Sequence, residues 1–299
     1  MIVSSAEDTE FATGFWGNGR KPQVWQDFLR PDVSQVAFAV ACGSKCPISW
    51  HIETDCPWMQ FSCTGGTEAE NQRVTLTIDR SQITGKAAGQ FAVVNEHIQE
   101  GTGAANIIVE VDNTPVSYPK GTFVEANGCI AMEAQHYTAK RDVPGGGFAL
   151  LTPYGRLGTA LKVFPATANF ENSEERPYLE YTFAAAKDGD YHVQFHMSAT
   201  TPVTFEPKQY IGYSVNGGAV QVVNTVHEEN RPFFGSEQWY AEGFANVKLT
   251  EAVILCHAGG NTLRFYAVSP ASILEKIVLW PDGTTLPESY LGPRESYRC

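Results

Sequence analysis

Long apolar runs and basic residues are both scarce in this chain. No run of about 18 apolar residues occurs, so the sequence predicts no membrane-spanning helix. The first twenty residues carry early acids and no apolar segment, and they do not look like a signal peptide. The net charge is −12, with 21 Lys and Arg against 33 Asp and Glu. Because phosphate binding needs clustered Lys and Arg, we expect no nucleic acid as partner. Without a long apolar run, we also expect no membrane as partner.

Catalytic motifs are missing as well. There is no Gly-x-Ser-x-Gly elbow, no phosphate-binding Gly-Lys-Ser/Thr loop and no His-Glu-x-x-His pair. His192 and His196 are four residues apart, but along a strand this spacing separates them by about 13 Å, too far for one metal ion. We interpret them as two residues on a polar strand face. The hypothesis is that the chain has no active site of its own, and the alternative is an enzyme with an unrecognised site.

The seven cysteines are an odd number, so they cannot all pair within the chain. Four of them fall within residues 42–63, in the spacings Cys42-x3-Cys46 and Cys56-x6-Cys63, which are not standard zinc patterns. We interpret them as small core or loop residues, with a disulfide inside this cluster as the alternative. The cysteines therefore leave the compartment open.

Alternation of apolar and polar residues dominates what is present. It is typical of strands with one buried face, and it recurs in both halves of the chain. The stretches are QVAFAVAC, ISWHIE, RVTLTID and NIIVEVD, then LEYTF, DYHVQFHMS and IGYSVNGG. No segment shows a helical stripe, and the βαβ pattern of a Rossmann fold or TIM barrel is absent. The sequence predicts an all-β protein built from antiparallel sandwiches.

A segment with two prolines, one glycine and no periodicity, residues 114–122, is predicted to be a linker. It separates two predicted β-sandwich domains. The first is immunoglobulin-like and spans residues 20–113, after an N-terminal extension at 1–19. The second spans residues 123–299.

Several aromatic residues lie in Gly-, Pro- and Asn-rich stretches outside the alternating strands. Rings beside Arg and Asn suit sugars, because the ring covers the apolar face of a pyranose while polar neighbours bond its hydroxyls. The candidate carbohydrate-binding residues are Tyr154, Arg156, Trp239, Tyr240, Asn230 and Arg231. The competing interpretation is that these rings close the ends of the sandwich.

Several motifs follow one another in the second predicted domain. It starts with CIAMEAQHYTAKRDV (129–143), continues with LTPYGRLGTALKVFPAT (151–167) and closes with SYLGPRES (289–296). In this order they resemble the C-terminal domain of glycoside hydrolase family 115, the xylan α-1,2-glucuronidases. The first domain resembles the BACON-like domain that precedes it in that family, through Pro57-Trp58 and a Val-x-Leu-x-Ile-Asp strand.

The resemblance implies a non-catalytic accessory region, because the catalytic acids of the family lie in an upstream barrel and helical domain. No family catalytic residue can be carried over to this chain. In the family, the C-terminal domain is similar to the jelly-roll carbohydrate-binding modules of families 6 and 35. The implied partner is plant cell-wall xylan or glucuronoxylan, and the implied location is extracellular. The alternative is a structural module that forms a homodimer or supports a catalytic domain.

Modules of families 6 and 35 often hold a structural calcium near a Glu-x-Glu opening and an acid of the last strand. The corresponding residues here are Glu133, Gln135 and Glu275. Gln135 offers only a neutral carbonyl, whereas calcium prefers charged oxygens, so this departure argues against calcium. No cofactor is required by the resemblance. Arg156 matches the family's Tyr-Gly-Arg motif, and we expect it either to pair with a uronate or to brace the sandwich.

Overall fold

We describe the protein from a computed structural model. The described residues are 2–5, 12–13, 22–42, 47–68, 71–97, 103–203, 208–226, 235–286 and 289–299. The chain divides into two compact units, Met1–Val116 and Ser117–Cys299, and this division falls inside the segment predicted as a linker. In the described part, no helix is long and apolar enough to cross a membrane.

The first unit consists of two sheets. Its strands, within the described residues, are β1 (Ile2–Ser5), β2 (Ala12–Thr13), β3 (Gln23–Trp25), β4 (Gln35–Ala41), β5 (Ile48–Thr54), β6 (Met59–Phe61), β7 (Gly65–Glu68), β8 (Asn71–Ile78), β9 (Gly85–Asn95) and β10 (Ala104–Asn113). One sheet has the order β2-β1-β4-β8-β6 and the other β3-β10-β9-β5-β7. Strand β3 pairs with β10 in parallel, and β9 pairs with β10 antiparallel.

Aromatic residues from both sheets fill the core of this unit. Trp25, Phe38, Trp50 and Phe91 are all buried. The Trp25 ring lies 5.4 Å from that of Phe38 and 5.5 Å from that of Phe91. Strand β1 pairs with β4 and buries Val3, so the segment predicted as an N-terminal extension contributes a strand to this sandwich.

The second unit also consists of two sheets, with one α-helix, α1 (Glu237–Ala245), in its described part. Its strands are β11 (Phe123–Val124), β12 (Ile130–Glu133), β13 (Ala139–Arg141), β14 (Gly147–Leu151), β15 (Ala160–Phe164), β16 (Tyr178–Ala185), β17 (Gly189–Met197), β18 (Tyr210–Val215), β19 (Gln221–Asn224), β20 (Lys248–Cys256), β21 (Gly259–Ala267) and β22 (Ile273–Pro281). One sheet has the order β11-β16-β21-β18-β19 and the other β14-β15-β22-β17-β20. The predicted all-β class is confirmed.

The alternation along β17 sets the two faces of the second sheet. Tyr191, Val193 and Phe195 are buried in the core between the sheets. Their neighbours His192, Gln194 and His196 therefore point to the opposite face, since successive side chains on a strand alternate. We call the face of β20, β17 and β22 that is turned away from the core the outer face.

Helix α1 was not predicted, because no segment of the sequence shows a helical stripe. Its N-cap is Ser236, whose hydroxyl accepts a hydrogen bond of 3.1 Å from the Trp239 backbone N–H. Only Glu242 is buried along its nine residues, while Tyr240 and Phe244 are exposed. The helix therefore lacks the apolar stripe by which helices are recognised in a sequence.

The cysteines do not form a reactive cluster in the described residues. Cys56, Cys63 and Cys299 are free thiols that are partly buried. Burial raises the pKa of the free thiols Cys129 and Cys256 to about 12, so both stay protonated at neutral pH. Cys46 lies outside the described residues, so the alternative of a disulfide within residues 42–63 is untested for Cys46, whereas Cys56 and Cys63 do not form one.

Candidate functional site

The C-terminal tail, residues 289–299, is hydrogen-bonded to the edge of the second unit. Ser296 and Ala131 exchange two hydrogen bonds: the Ser296 N–H donates to the Ala131 carbonyl at 2.9 Å, and the Ala131 N–H donates to the Ser296 hydroxyl at 3.0 Å. Glu295 accepts from the Glu133 N–H at 2.9 Å and pairs with the His136 ring at 2.8 Å. The closing motif of the sequence therefore fixes the tail to β12.

Lys276 on strand β22 holds the middle of the tail against the sheet. This lysine is buried, and its ammonium group donates to the carbonyls of Leu291 and Pro293 at 2.9 and 2.8 Å. Burial lowers its pKa, and the neighbouring Glu133 opposes this effect. Between the two carbonyls, Gly292 has a φ of +71°, and a Cβ there would lie 3.0 Å from the His196 ring. Glycine is thus needed where the tail passes closest to the sheet.

Arg156 holds the start of the tail. Its side chain is 4% exposed, and it donates to the Tyr290 carbonyl and, at 3.1 Å, to Nδ1 of His196. Its Nε lies 3.8 Å from the carboxylate of Glu275. Gly155, which precedes it, has a φ of +64°, and a Cβ there would lie 2.6 Å from the Glu275 carboxylate. The Tyr-Gly-Arg motif therefore supplies a close turn and a bracing cation.

His196 lies on the outer face of the sheet, but the tail covers it, and its side chain is buried. Its Nδ1 accepts from Arg156, so the proton is on Nε2, which donates to the Gln194 carbonyl oxygen at 2.7 Å. Burial, with the nearby charges of Arg156 and Lys276, lowers the pKa of His196 to about 3. The ring is therefore neutral at physiological pH.

A cleft of about 580 Å³ opens between the tail and the outer face. Its lining includes Gln194, Leu249, Trp280, Thr285, Ser289 and Tyr290. The Trp280 ring is half-buried and stacks on His192, with ring centres 5.3 Å apart and planes at 14°. The Tyr290 ring is exposed and lies 5.4 Å from the Arg156 guanidinium. The cleft thus combines two aromatic rings, each packed against a neighbouring side chain, with amide and hydroxyl groups.

The structure brings only part of the predicted sugar-binding set to this cleft. Arg156 lies at the cleft, but its terminal nitrogens are engaged by Tyr290 and His196. Tyr154 is half-buried on the loop of Arg156, where its N–H donates to the Gly158 carbonyl. Trp239 and Tyr240 lie on α1. The predicted residues Asn230 and Arg231 lie outside the described residues.

Sequence reasoning missed Trp280 and Tyr290. Trp280 belongs to strand β22, where it shares the outward register of Lys276 and Val278. An aromatic residue in the outward register of a strand was the available signal. Tyr290 had no such signal, because its position depends on how the tail is anchored.

The predicted calcium ligands do not fit a cation in this arrangement. The carboxylate of Glu275 accepts from Ser198 at 2.8 Å and from the Arg156 N–H at 3.3 Å, and it already faces a guanidinium. The amide of Gln135 donates to Glu133 at 3.2 Å.

Another group of possible ligand atoms lies nearby. In the described part, carboxylate or imidazole atoms of Glu133, His136 and Glu295 lie within 4.8 Å of one another, and Glu275 is not part of this group. Since Glu295 is already bonded to His136 and to the Glu133 N–H, we interpret the group as the anchor of the tail.

The profile of the glycosyl hydrolase family 115 C-terminal domain matches residues 122–295, more than half of the chain. The chain belongs to this family. The predicted resemblance to the family 115 C-terminal domain is thereby confirmed. No curated protein gives a significant match.

The comparison with solved structures gives matches at low sequence identity. BtGH115A, described as a family 115 4-O-methyl-α-glucuronidase with specificity for decorated arabinogalactans, has 15% identity and a TM-score of 0.41. The match covers 57% of this chain and only 20% of that enzyme. A family 35 carbohydrate-binding module from Clostridium thermocellum has 19% identity and a TM-score of 0.34, over 50% of this chain and 97% of the module. The family 6 module of LamC from Zobellia galactanivorans has 14% identity and a TM-score of 0.33, over 51% and 98%.

We expect the substitution Arg156→Met to destabilise the family 115 domain and to release its tail. It removes the donors to Tyr290 and His196 and leaves Glu275 buried without its counter-charge, a loss of about 3 kcal/mol. Thermal unfolding and limited chymotrypsin digestion at Tyr290 measure both effects. The control is Arg141→Met, which removes an exposed ion pair with Glu175 and costs no more than about 0.5 kcal/mol. Unchanged stability and digestion of the Arg156 variant would contradict the bracing role.

The lowered pKa of His196 leads us to expect that the stability of the domain depends on pH. Its folded pKa of about 3 lies below its unfolded value, so its contribution is complete above about pH 6.5 and is lost as the pH falls towards 3. The slope reaches about 1.4 kcal/mol per pH unit. Urea unfolding at neutral and acidic pH should therefore show the stability difference between wild type and His196→Gln narrowing as the pH falls. A difference that is constant with pH is incompatible with a buried neutral imidazole.

Calcium should not stabilise the domain. Because Glu275 is neutralised by Arg156, we expect about 1 mM calcium or an excess of EDTA to shift the melting temperature by less than about 1 °C. Differential scanning calorimetry of the whole chain measures this. An increase of several degrees with calcium would show that a cation site exists after all.

Proposed function

We propose that this protein is a non-catalytic carbohydrate-binding region that accompanies a glycoside hydrolase and binds xylan or glucuronoxylan. Membership of family 115 through its C-terminal domain supports the carbohydrate-related role. The observation that carries the proposal is the cleft on the outer face, where Trp280 and Tyr290 present aromatic rings beside polar groups. A polymer of this kind lies outside the cell, and the proposed site of action is extracellular.

The chemistry of the cleft matches that of a sugar. An aromatic ring covers the apolar C–H face of a pyranose, and hydroxyl groups such as those of Thr285 and Ser289 exchange hydrogen bonds with its hydroxyls. With two rings and few polar partners, we expect a dissociation constant of about 10 μM to 1 mM, which corresponds to roughly 4 to 7 kcal/mol. Such binding is reversible, as holding an enzyme near a polymer requires.

The composition of the cleft supports binding rather than hydrolysis. A glycosidase of the usual kind needs two carboxylates on either side of the scissile bond. Among the described residues that line the cleft there is no Asp or Glu. The nearby Glu275 is buried against Arg156 and Ser198, where it has no access to a substrate. Neither a cofactor nor a metal is needed for this role.

Trp280 provides the direct test of the proposal. We expect the chain to be retarded in affinity gels that contain glucuronoxylan, and Trp280→Ala to lose about tenfold in affinity, because the stacking ring is removed. The control is Tyr118→Ala, which removes an exposed aromatic ring that does not line the cleft. Arabinogalactan gels should be run in parallel, because BtGH115A is described as specific for that polymer. Absence of retardation on any hemicellulose would rule out the proposal.

A second candidate function, an interface with another protein chain, is favoured by one observation. Strand β20 is at the edge of its sheet and carries Leu249, Val253 and Leu255 exposed on the outer face, with Glu251 as the single charged residue between them. An apolar row on an edge strand is a suitable surface for a homodimer or for a catalytic domain. Light scattering of the chain distinguishes the candidates, since a dimer that dissociates on Val253→Lys supports the interface.

A further inference from the structure

Helix α1 attaches to the second unit through charged and polar side chains. Glu242 is 8% exposed and accepts from the Gln238 amide at 2.6 Å. Its other carboxylate oxygen lies 3.6 Å from the ammonium group of Lys248, which is fully buried. Lys248 also donates to the Gln209 side chain at 2.8 Å and to the Thr200 carbonyl at 3.0 Å. The inward side of the helix is therefore its polar side.

The outward side of the helix is aromatic. Phe244 is 86% exposed and Tyr240 is 52% exposed. The two residues are one helical turn apart, and their rings are nearly parallel, with planes at 19° and centres 6.3 Å apart. The ring of Trp239 lies 4.9 Å from that of Tyr240. We call Trp239, Tyr240 and Phe244 the helix aromatics.

This arrangement is the reverse of an ordinary surface helix and lowers stability. Removing the charges of Glu242 and Lys248 from water carries a desolvation penalty. In addition, an exposed Phe side chain lacks the roughly 1.5 to 3 kcal/mol of stabilisation that its burial would contribute. A contiguous exposed apolar patch on a folded domain marks a binding surface. The helix aromatics are therefore a suitable binding surface for a ligand that packs against aromatic rings.

The helix aromatics lie next to the cleft described above. Helix α1 ends at Ala245, and Ala245, Val247 and Leu249 line the cleft. Phe244 is thus followed directly by the cleft wall. The end of the helix that carries Phe244 is therefore also the end that meets the cleft.

The charge of the helix distinguishes between ligands. Its sequence EQWYAEGFA contains two Glu and no Lys or Arg, so the helix lacks the basic residues with which surface helices bind anionic membranes. An uncharged stretch of a polysaccharide chain needs no such charge, because it packs its apolar faces on the rings. One helical turn, about 5.4 Å, is comparable with the length of one sugar unit along an extended chain.

We infer that the helix aromatics extend the cleft into a track that binds the side of an extended polysaccharide over several sugar units, rather than a chain end or a single sugar. This inference rests on the proposed carbohydrate-binding function. The rings of Trp280 and Tyr290 hold one part of the chain, and Tyr240 and Phe244 hold the part beyond the cleft.

Isothermal titration calorimetry with xylo-oligosaccharides of increasing length tests the inference on the whole chain. We expect the affinity to rise at least tenfold from the disaccharide to about the hexasaccharide and then to level off. Phe244→Ala should lower the affinity for the hexasaccharide about tenfold and leave that for the disaccharide unchanged. The matched control is Val222→Ala, an exposed apolar residue on β19. Because both side chains are exposed, circular dichroism should show unchanged folding.

The other outcomes overturn the inference in distinguishable ways. If glucuronoxylan binds but affinity does not depend on length, or Phe244→Ala has no effect, the track is wrong and the proposed function stands. If no oligosaccharide or polymer binds, the proposed function fails together with the track. If Phe244→Ala leaves sugar affinity unchanged and instead lowers the molar mass measured by light scattering, the helix aromatics form a protein interface.

Discussion

Two buried cations hold the C-terminal tail against the second sheet, and the cleft depends on them. Arg156 donates to the Tyr290 carbonyl, and Lys276 donates to the Leu291 and Pro293 carbonyls. Burying a charge costs free energy unless several partners compensate it, and here backbone carbonyls, His196 and Glu275 supply this compensation. The tail in turn forms one wall of the cleft and positions the Tyr290 ring. Without these two cations, the outer face would be an open sheet surface.

The same network engages the late acid of the last strand, for which the resemblance implied a cation ligand. In this chain the positive charge next to Glu275 is the guanidinium of Arg156. His196 completes the site as a neutral acceptor, since a proton on it would face two cations. The motifs by which the family resemblance was identified therefore have a structural role: Tyr-Gly-Arg provides the brace, and the closing motif provides the tail that it holds.

The buried faces of the strands were predictable, because a sandwich core imposes period two on each strand. Tyr191, Val193 and Phe195 follow this pattern, and they also place His192 and Gln194 on the outer face. Helix α1 was not predictable from periodicity, because it docks through Glu242 on Lys248 rather than through an apolar stripe. The cleft could not be predicted from the sequence either, since Trp280 and Tyr290 come together only when long-range hydrogen bonds fix the tail.

The central claim is that a sugar chain occupies the cleft between the tail and the outer face. The most direct measurement is the indole N–H signal of Trp280 in a nuclear magnetic resonance titration with glucuronoxylan oligosaccharides, assigned with a Trp280→Phe variant. We predict that this signal shifts progressively to saturation, while the signals of the core residues Trp25 and Trp50 do not move. A Trp280 signal that stays unchanged at saturating oligosaccharide would contradict the account.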